Sequence, residues 1–525
     1  MHQSFNEDST NEIGNETVDL KGWGELFDTS HLKGDLRGRA VKGGAVTIIS
    51  RSIEFLVHMG GTVILARLLS PQEFGLLAMV LAITGFFVIF KDMGLSDATI
   101  QSEKISHDQV STLFWLNVSC GILIFITAAV ISPVVAWFYK EPQLVLVTII
   151  SSVSFIFAGF SAQHLALLKR SMSFSRVAVV EIVAASGSVL AGIAMAFLGF
   201  GLWALVARTL LMAFLNMVGL WTFCKWRPGL PKRKSGVKSF VRFGANTTGF
   251  YLINYFARNF DKILVGWFAG PVILGFYHKA FHLFVLPVSQ FSIPLQGVAV
   301  SSLTKLRSEP LKYKHFFLRA LGLMAFMGMP LSTYLAAMGE GIILLLLGPA
   351  WVGAVDIFAA FALGAGMQIM YAAQGWLHVS LGRADRWFRW GIVGSACMVV
   401  FFIAGIPFGA VGVAAGYTIS LYLLTFPALW YAGRPVGLTV KEIWDSIWKY
   451  YAASIAAGMA ASVIAKNLAN INVITRLIAS FAGFVIVYLL TIVLLFRSFY
   501  PISSFFKLVL DNLPVKNRKV TVVDT

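Results

Sequence analysis

The sequence predicts an all-α polytopic membrane protein of about 14 transmembrane helices. Two six-helix lobes are expected, related by a pseudo-two-fold along the membrane normal, with two extra C-terminal helices. Three observations carry this expectation. The composition is apolar and broken into runs of spanning length. Lys and Arg crowd into alternate gaps between those runs. An outer hairpin recurs at an offset of about 200 residues.

At 57% hydrophobic and 13% charged, with a mean hydropathy of +0.76, 525 residues hold too few polar groups to cover a soluble globule. A net charge of +17 would suggest nucleic acid in a soluble protein. Here the cations lie between apolar runs, where they set orientation and meet anionic headgroups, so no nucleic-acid partner is expected. Cys120, Cys224 and Cys397 sit in separate apolar segments and form neither a disulfide framework nor a metal pair.

The elements follow in order. Residues 1–40 form a polar tail, acidic at first and basic just before the first span (Lys33, Arg37, Arg39, Lys42). It has no early basic segment leading into an apolar one, so no cleavable signal peptide is expected. With about 20 apolar residues per span, spans fall near 45–67, 75–92, 112–137, 144–166, 177–198 and 202–223, then 242–267, 272–298, 316–338, 353–378, 389–407 and 412–431, and finally 449–467 and 473–496. The domains are therefore a tail (1–40), an N-lobe (41–224), a basic loop (225–241), a C-lobe (242–433), two further spans (434–497) and a cytoplasmic tail (498–525). The piece "GIILLLLGPAW" (341–351) is too short to cross and reads as an interfacial helix or a helix extension.

The loops fix the orientation. With the N-terminus inside, the cytoplasmic loops take Lys169, Arg170 and Arg176, then Lys225 to Arg242, then Arg383, Arg386 and Arg389, while the opposite loops hold little beyond Lys140 and Lys466. Both termini are then cytoplasmic. Tryptophans agree as an interfacial belt: Trp137, Trp203, Trp267 and Trp351 mark outer ends, and Trp221, Trp226, Trp387, Trp390, Trp444 and Trp448 inner ones.

The internal repeat sets "LARLLSPQEFGLLAMV" (65–80) above "VGWFAGPVILGFYHKA" (265–280), with Pro71 on Pro271 and Gly75 on Gly275. "GFGLWALV" (199–206) and "GAVGVAAG" (409–416) open later spans in the same way. Substrate sites in such proteins lie between the two bundles.

Ionisable groups inside a membrane cost about 2.5–3.5 kcal/mol on insertion scales, so each needs a role. Arg51, Glu54 and His58 lie on the first span; Glu54 and His58 share a face. At the repeat offset they fall on Asn254 and Arg258 in the lead helix of the second lobe. The two pairs predict an inward-facing polar cavity of positive character, with His282 a further candidate. Asp261 lies ten residues before Pro271 and Lys279 eight after it, so the hairpin predicts an Asp261–Lys279 ion pair. Lys262 is expected to snorkel. Glu181 and Arg208 are expected to pair locally. Gln368, Gln374 and His378 suit helix–helix contacts or sugar contacts equally.

No GxxxxGK[ST], HExxH, GxSxG or DxD pattern occurs, so no catalytic residue, metal site or cofactor is expected. Without a motor, the drive would come from proton or sodium coupling through Glu54 or His58, or from consumption of the product outside.

Three pieces, "TVILARLLSPQEFGLLAMVLAI", "FKDMGLSDATIQSEKISHDQVSTLFWLN" and "FDKILVGWFAGPVILGFYHKAFHL", together closely resemble polysaccharide exporters of the Wzx type. The likeness is to the colanic-acid-exporter branch of the multidrug/oligosaccharidyl-lipid/polysaccharide flippase superfamily. It continues through "LLLGPAWVGAV" and "VSLGRADRWFRW" and covers about residues 40–500. The resemblance implies a bacterial cytoplasmic-membrane flippase for undecaprenyl-pyrophosphate-linked oligosaccharide. It would act as a monomer beside polysaccharide polymerase or assembly proteins. Arg51 and Arg258 are implied as the pyrophosphate-facing cations, and the last two helices as a groove for the lipid tail. A cation-coupled drug antiporter would instead favour an acidic cavity. A membrane glycosyltransferase or polymerase would need a large outer loop, which the sequence lacks.

Overall fold

The computed structural model describes residue 27 and residues 36–90, 94–102, 105–232 and 238–503. Its helices run in the order α1 (Leu36–Leu68), α2 (Pro71–Thr84), α3 (Leu95–Gln101), α4 (His107–Tyr139), α5 (Leu144–Arg170), α6 (Phe174–Phe197) and α7 (Leu202–Cys224). Then come α8 (Lys238–Lys305), α9 (Pro310–Ala337), α10 (Gly339–Leu346), α11 (Val355–Ala362), α12 (Ala365–Ser380), α13 (Ala384–Gly405), α14 (Gly409–Gly433), α15 (Val440–Asn467) and α16 (Val473–Phe496). Helices and short 3-10 turns are the only regular elements among the described residues.

Several helix starts are written in the sequence. Ser70–Glu73, Ser106–Gln109 and Thr439–Glu442 each form a capping box, in which hydroxyl and carboxyl or amide satisfy backbone N–H groups left over at the N-terminus. α8 is two helices: Gly270, at φ 77° and ψ −178°, breaks it just before Pro271. Only glycine takes that conformation without strain, and the following proline starts the second arm.

Ten helical segments among the described residues are long and apolar enough to cross a membrane, eleven when the pair Pro349–Ala362 and Ala365–Ser380, bent by 48°, counts as one span. Two of the ten, Asn259–Gln290 and Ala384–Val436, run through the Gly270 break and the turn at Ile406–Phe408. Val440–Asn467 falls outside the ten.

In the first half α1 packs on α6, α6 on α7, and α4 on α5. A buried chain joins α3, α5 and α4: Thr99 donates to Gln163 Oε1 (2.8 Å), and Gln163 donates to Asn117 Oδ1 (2.9 Å). Inside an apolar bundle this satisfies three polar groups that water cannot reach. In the second half α12 packs on α8, α9 and α14, and the pair α15–α16 docks on α9.

The two halves meet where α2 crosses the second arm of α8. A Cβ on Gly75 would overlap the Pro271 carbonyl, and one on Gly275 would overlap the Pro71 carbonyl. The contact is reciprocal, as a two-fold axis requires. The residues matched by the sequence repeat are the ones that touch.

Beside this crossing, Trp351 is buried between the halves. Its Nε1 donates to the Ala66 carbonyl (2.7 Å), and its ring stands edge-on to Phe74 (5.4 Å between centroids). Arg67 donates to the Leu345 carbonyl. Trp351 was expected in the belt, and so was Trp226. Both are fully buried, Trp226 among Phe114, His107 and His164. Each indole N–H finds an internal acceptor, which makes burial affordable.

Candidate functional site between the two halves

A cavity of about 270 Å3 opens at the junction of α1, α2, α6, α7 and α8. His58, Arg208, His278 and Lys279 supply its nitrogen-bearing groups, and Phe74 and Leu77 part of its apolar wall. Among the described residues, no carboxylate lines it.

Arg208 Nη2 lies 3.0 Å from His58 Nδ1. A guanidinium only donates, so Nδ1 accepts and the imidazole proton sits on Nε2. That nitrogen is 3.9 Å from Glu54 Oε1. Glu54 also takes Arg51 at 2.9 Å, and Arg51 reaches Glu181 of α6 at 3.5 Å. A charged chain therefore runs Glu181–Arg51–Glu54–His58–Arg208 across α6, α1 and α7, and ends at the cavity. Glu54 and Glu181 sit behind it.

Lys279 is 6% exposed, and its Nζ lies 3.9 Å from the Phe74 ring centre. The cation of one half rests on the aromatic face of the other. The expected Asp261–Lys279 pair is not formed: no carboxylate lies within 4.0 Å of Lys279 among the described residues. Asp261, 1% exposed, accepts from the Tyr277 hydroxyl (2.9 Å), and its Oδ1 has no partner. The reason is azimuthal. Tyr277 and Lys279 are two residues apart on a helix, about 200° around its axis. When Tyr277 faces Asp261, Lys279 faces away, toward α2.

Lys262 donates to Asn259 Oδ1 (3.0 Å) and stands over the Phe281 ring (4.5 Å). His282 is exposed, one turn beyond His278. The Nδ1 atom of His278 is buried without a partner. The side chains of Asn254 and Arg258 lie outside the described residues. Gln368 accepts from Tyr417 (2.9 Å), a helix–helix contact.

The structure thus brings His58 to the cavity, with Glu54 and Arg51 behind it, and adds Arg208, His278 and Lys279. Arg208 had a signal: it sits six residues inside "LWALVARTLLMAF", where an ionisable group is functional by default. Lys279 carried the same signal, but counting from the turn gives its depth and not its direction.

Residues 64–356 match the profile of a family described as polysaccharide biosynthesis protein. The chain belongs to this family. Among curated members of the wider set, it is 27% identical to teichuronic acid biosynthesis protein TuaB of Bacillus subtilis (strain 168), over 80% of this chain and 88% of that one. It is 23% identical to lipopolysaccharide biosynthesis protein WzxC of Escherichia coli (strain K12), over 79% and 85%. The fold is that of the lipid II flippase MurJ in an inward closed conformation, with a TM-score of 0.69, 16% identity, and coverage of 87% of this chain and 99% of that one. A multidrug resistance MATE family transporter of the MOP superfamily, inward-facing, shares it at a TM-score of 0.58 and 13% identity, over 75% and 99%. This member of the polysaccharide biosynthesis family is therefore a polytopic membrane protein on the fold of those transporters.

Proposed function

We propose that this protein moves lipid-linked oligosaccharide repeat units, carried on undecaprenyl pyrophosphate, from the cytoplasmic to the outer leaflet of a bacterial inner membrane. The observation that carries the reading is the cavity between the halves, lined by Arg208, Lys279, His58 and His278 and, among the described residues, by no carboxylate. A diphosphate headgroup cannot cross about 30 Å of hydrocarbon unaided. Fixed guanidinium and ammonium groups in a water-poor site replace its hydration and counter-ions. Rocking of two lobes about the α2–α8 crossing alternates access.

Family membership and the lipid II flippase fold support the same reading. It takes the fourteen-span topology with both termini inside, α15–α16 as the tail groove, a monomer working beside polymerase or assembly proteins, and proton or sodium coupling through Glu54 or His58. Arg51 acts by positioning Glu54, and Arg258 remains a cavity candidate from its repeat position. A drug antiporter for cations would need an acidic lining, and among the described residues no carboxylate lines this cavity.

The test is complementation of a deletion strain. Loss of the protein should accumulate lipid-linked repeat units on the cytoplasmic leaflet. Arg208→Gln or Lys279→Gln should fail to clear them while the variant stays in the membrane. Normal export by both variants would overturn the assignment.

A further inference from the structure

A second concentration of positive charge stands apart from the cavity. Arg383 caps the N-terminus of α13, Arg386 and Arg389 follow at three-residue intervals, and Arg434 follows the end of α14. With Asp385 and Tyr431 they line a pocket of about 520 Å3. Arg307 lies close by, its Nη1 3.4 Å from where a Cβ on Gly382, the neighbour of Arg383, would stand.

Arg383 meets Asp385 at 3.4 Å. Among the described residues no carboxylate lies within 4.0 Å of Arg307, Arg386, Arg389 or Arg434. Arg386 is held in place: it donates to the Tyr431 carbonyl and lies 4.2 Å over the Tyr431 ring, which stacks in turn on Trp390. Like charges gathered around a concave surface raise the local potential and draw in an anion.

The surroundings say which anion. Trp387, Phe388 and Trp430 are exposed around the arginines, and Ile392 and Val393 are exposed one turn further along α13. The helix passes from lipid-facing aliphatics through interfacial aromatics to guanidinium groups within about two turns, which sets the pocket at headgroup depth. Guanidinium forks match phosphate oxygens two at a time.

We propose that this pocket binds a phosphate-bearing lipid headgroup at the membrane surface, supplied by an anionic phospholipid or by a polyprenyl-phosphate substrate. The site stands on the membrane reading of the fold and not on the cavity, so the two fail separately.

The test uses the full-length protein in detergent micelles and native mass spectrometry, with phosphatidylglycerol, phosphatidylcholine and farnesyl pyrophosphate as probes. The wild type should retain phosphatidylglycerol or farnesyl pyrophosphate over phosphatidylcholine. The variant Arg389→Gln/Arg434→Gln, both exposed positions, should lower that retention roughly ten- to thirty-fold, at about one decade or less per arginine. Arg389→Lys/Arg434→Lys should recover part of it, which checks that the fold is intact. A fall for phosphatidylglycerol alone assigns the phospholipid, a fall for farnesyl pyrophosphate alone assigns the substrate phosphate, and a fall for both assigns the shared group. Unchanged retention of both probes overturns the site. So does loss of all retention in Arg208→Gln, which would place the lipid in the cavity instead.

Discussion

α2 and the second arm of α8 are the same element used twice, and they differ where it matters. Each starts at a proline and lays a glycine four residues on against the other's first carbonyl. One turn further, the first half carries Ala78 and Met79 and the second carries His278 and Lys279. The crossing is symmetric in residues; the wall beside it is apolar on one side and cationic on the other. Closing a bundle needs backbone to approach backbone, and that demand falls equally on both partners. The first half brings its cation to the cavity from another helix, Arg208 of α7, which leaves α2 itself apolar.

The largest expected effect comes from breaking the symmetric part. Gly75→Leu or Gly275→Leu forces a side chain into the partner's carbonyl, an overpacking cost of about 1–3 kcal/mol or more. Export should be lost, and thermal unfolding in detergent should fall by several degrees. Unchanged unfolding in both variants would contradict the crossing.

The next prediction sharpens the asymmetric part. Lys279→Met copies the residue that stands at the equivalent position of the first half. It removes a buried cation that has only a ring for a partner, so the unfolding temperature should hold or rise. Export should fall about a hundredfold, on the scale of about 2–3 kcal/mol for one charged hydrogen bond to a phosphate. A fall in both together would make Lys279 a packing residue.

Glutamine at position 208 should behave differently, because Arg208 also orients His58. Arg208→Gln should lose export and, in addition, broaden or shift the His58 imidazole resonances of selectively labelled protein. Unaltered resonances would separate His58 from Arg208.

The smallest effect lies outside both walls. Lys314, Thr439 and the α15 cap lower the Glu442 carboxyl to about 2. A depressed carboxyl stabilises above its unfolded value, near 4.5, and loses that contribution as pH falls toward 2. Glu442→Gln should therefore destabilise by about 0.5–1 kcal/mol at neutral pH, the range of a partly exposed pair. The gap from wild type should close between pH 4.5 and 2 in thermal scans.

Most of the fold was legible because hydropathy, capping boxes and the Pro–Gly repeat are one-dimensional signals. The predicted spans fall on helical stretches among the described residues, ten or eleven of which are long and apolar enough to cross a membrane where fourteen were expected. Burial of tryptophan was not legible: Trp351 and Trp226 look like belt residues until a carbonyl or imidazole acceptor appears across the fold. The site was half legible. His58 and Glu54 were found by their shared face. The Asp261–Lys279 pairing failed because counting from the turn gives depth and leaves rotation open, and the Tyr277 hydroxyl was the nearer partner.

The bonds that fasten the halves beside the crossing end on particular atoms. Trp351 and Arg67 donate to Ala66 and Leu345, carbonyls in the last turns of α1 and α10. Such carbonyls have no partner in their own helix. Losing either donor would break no ladder bond inside a helix. The fastening is a clasp set on spare acceptors, outside the hydrogen-bond ladders of the helices it joins.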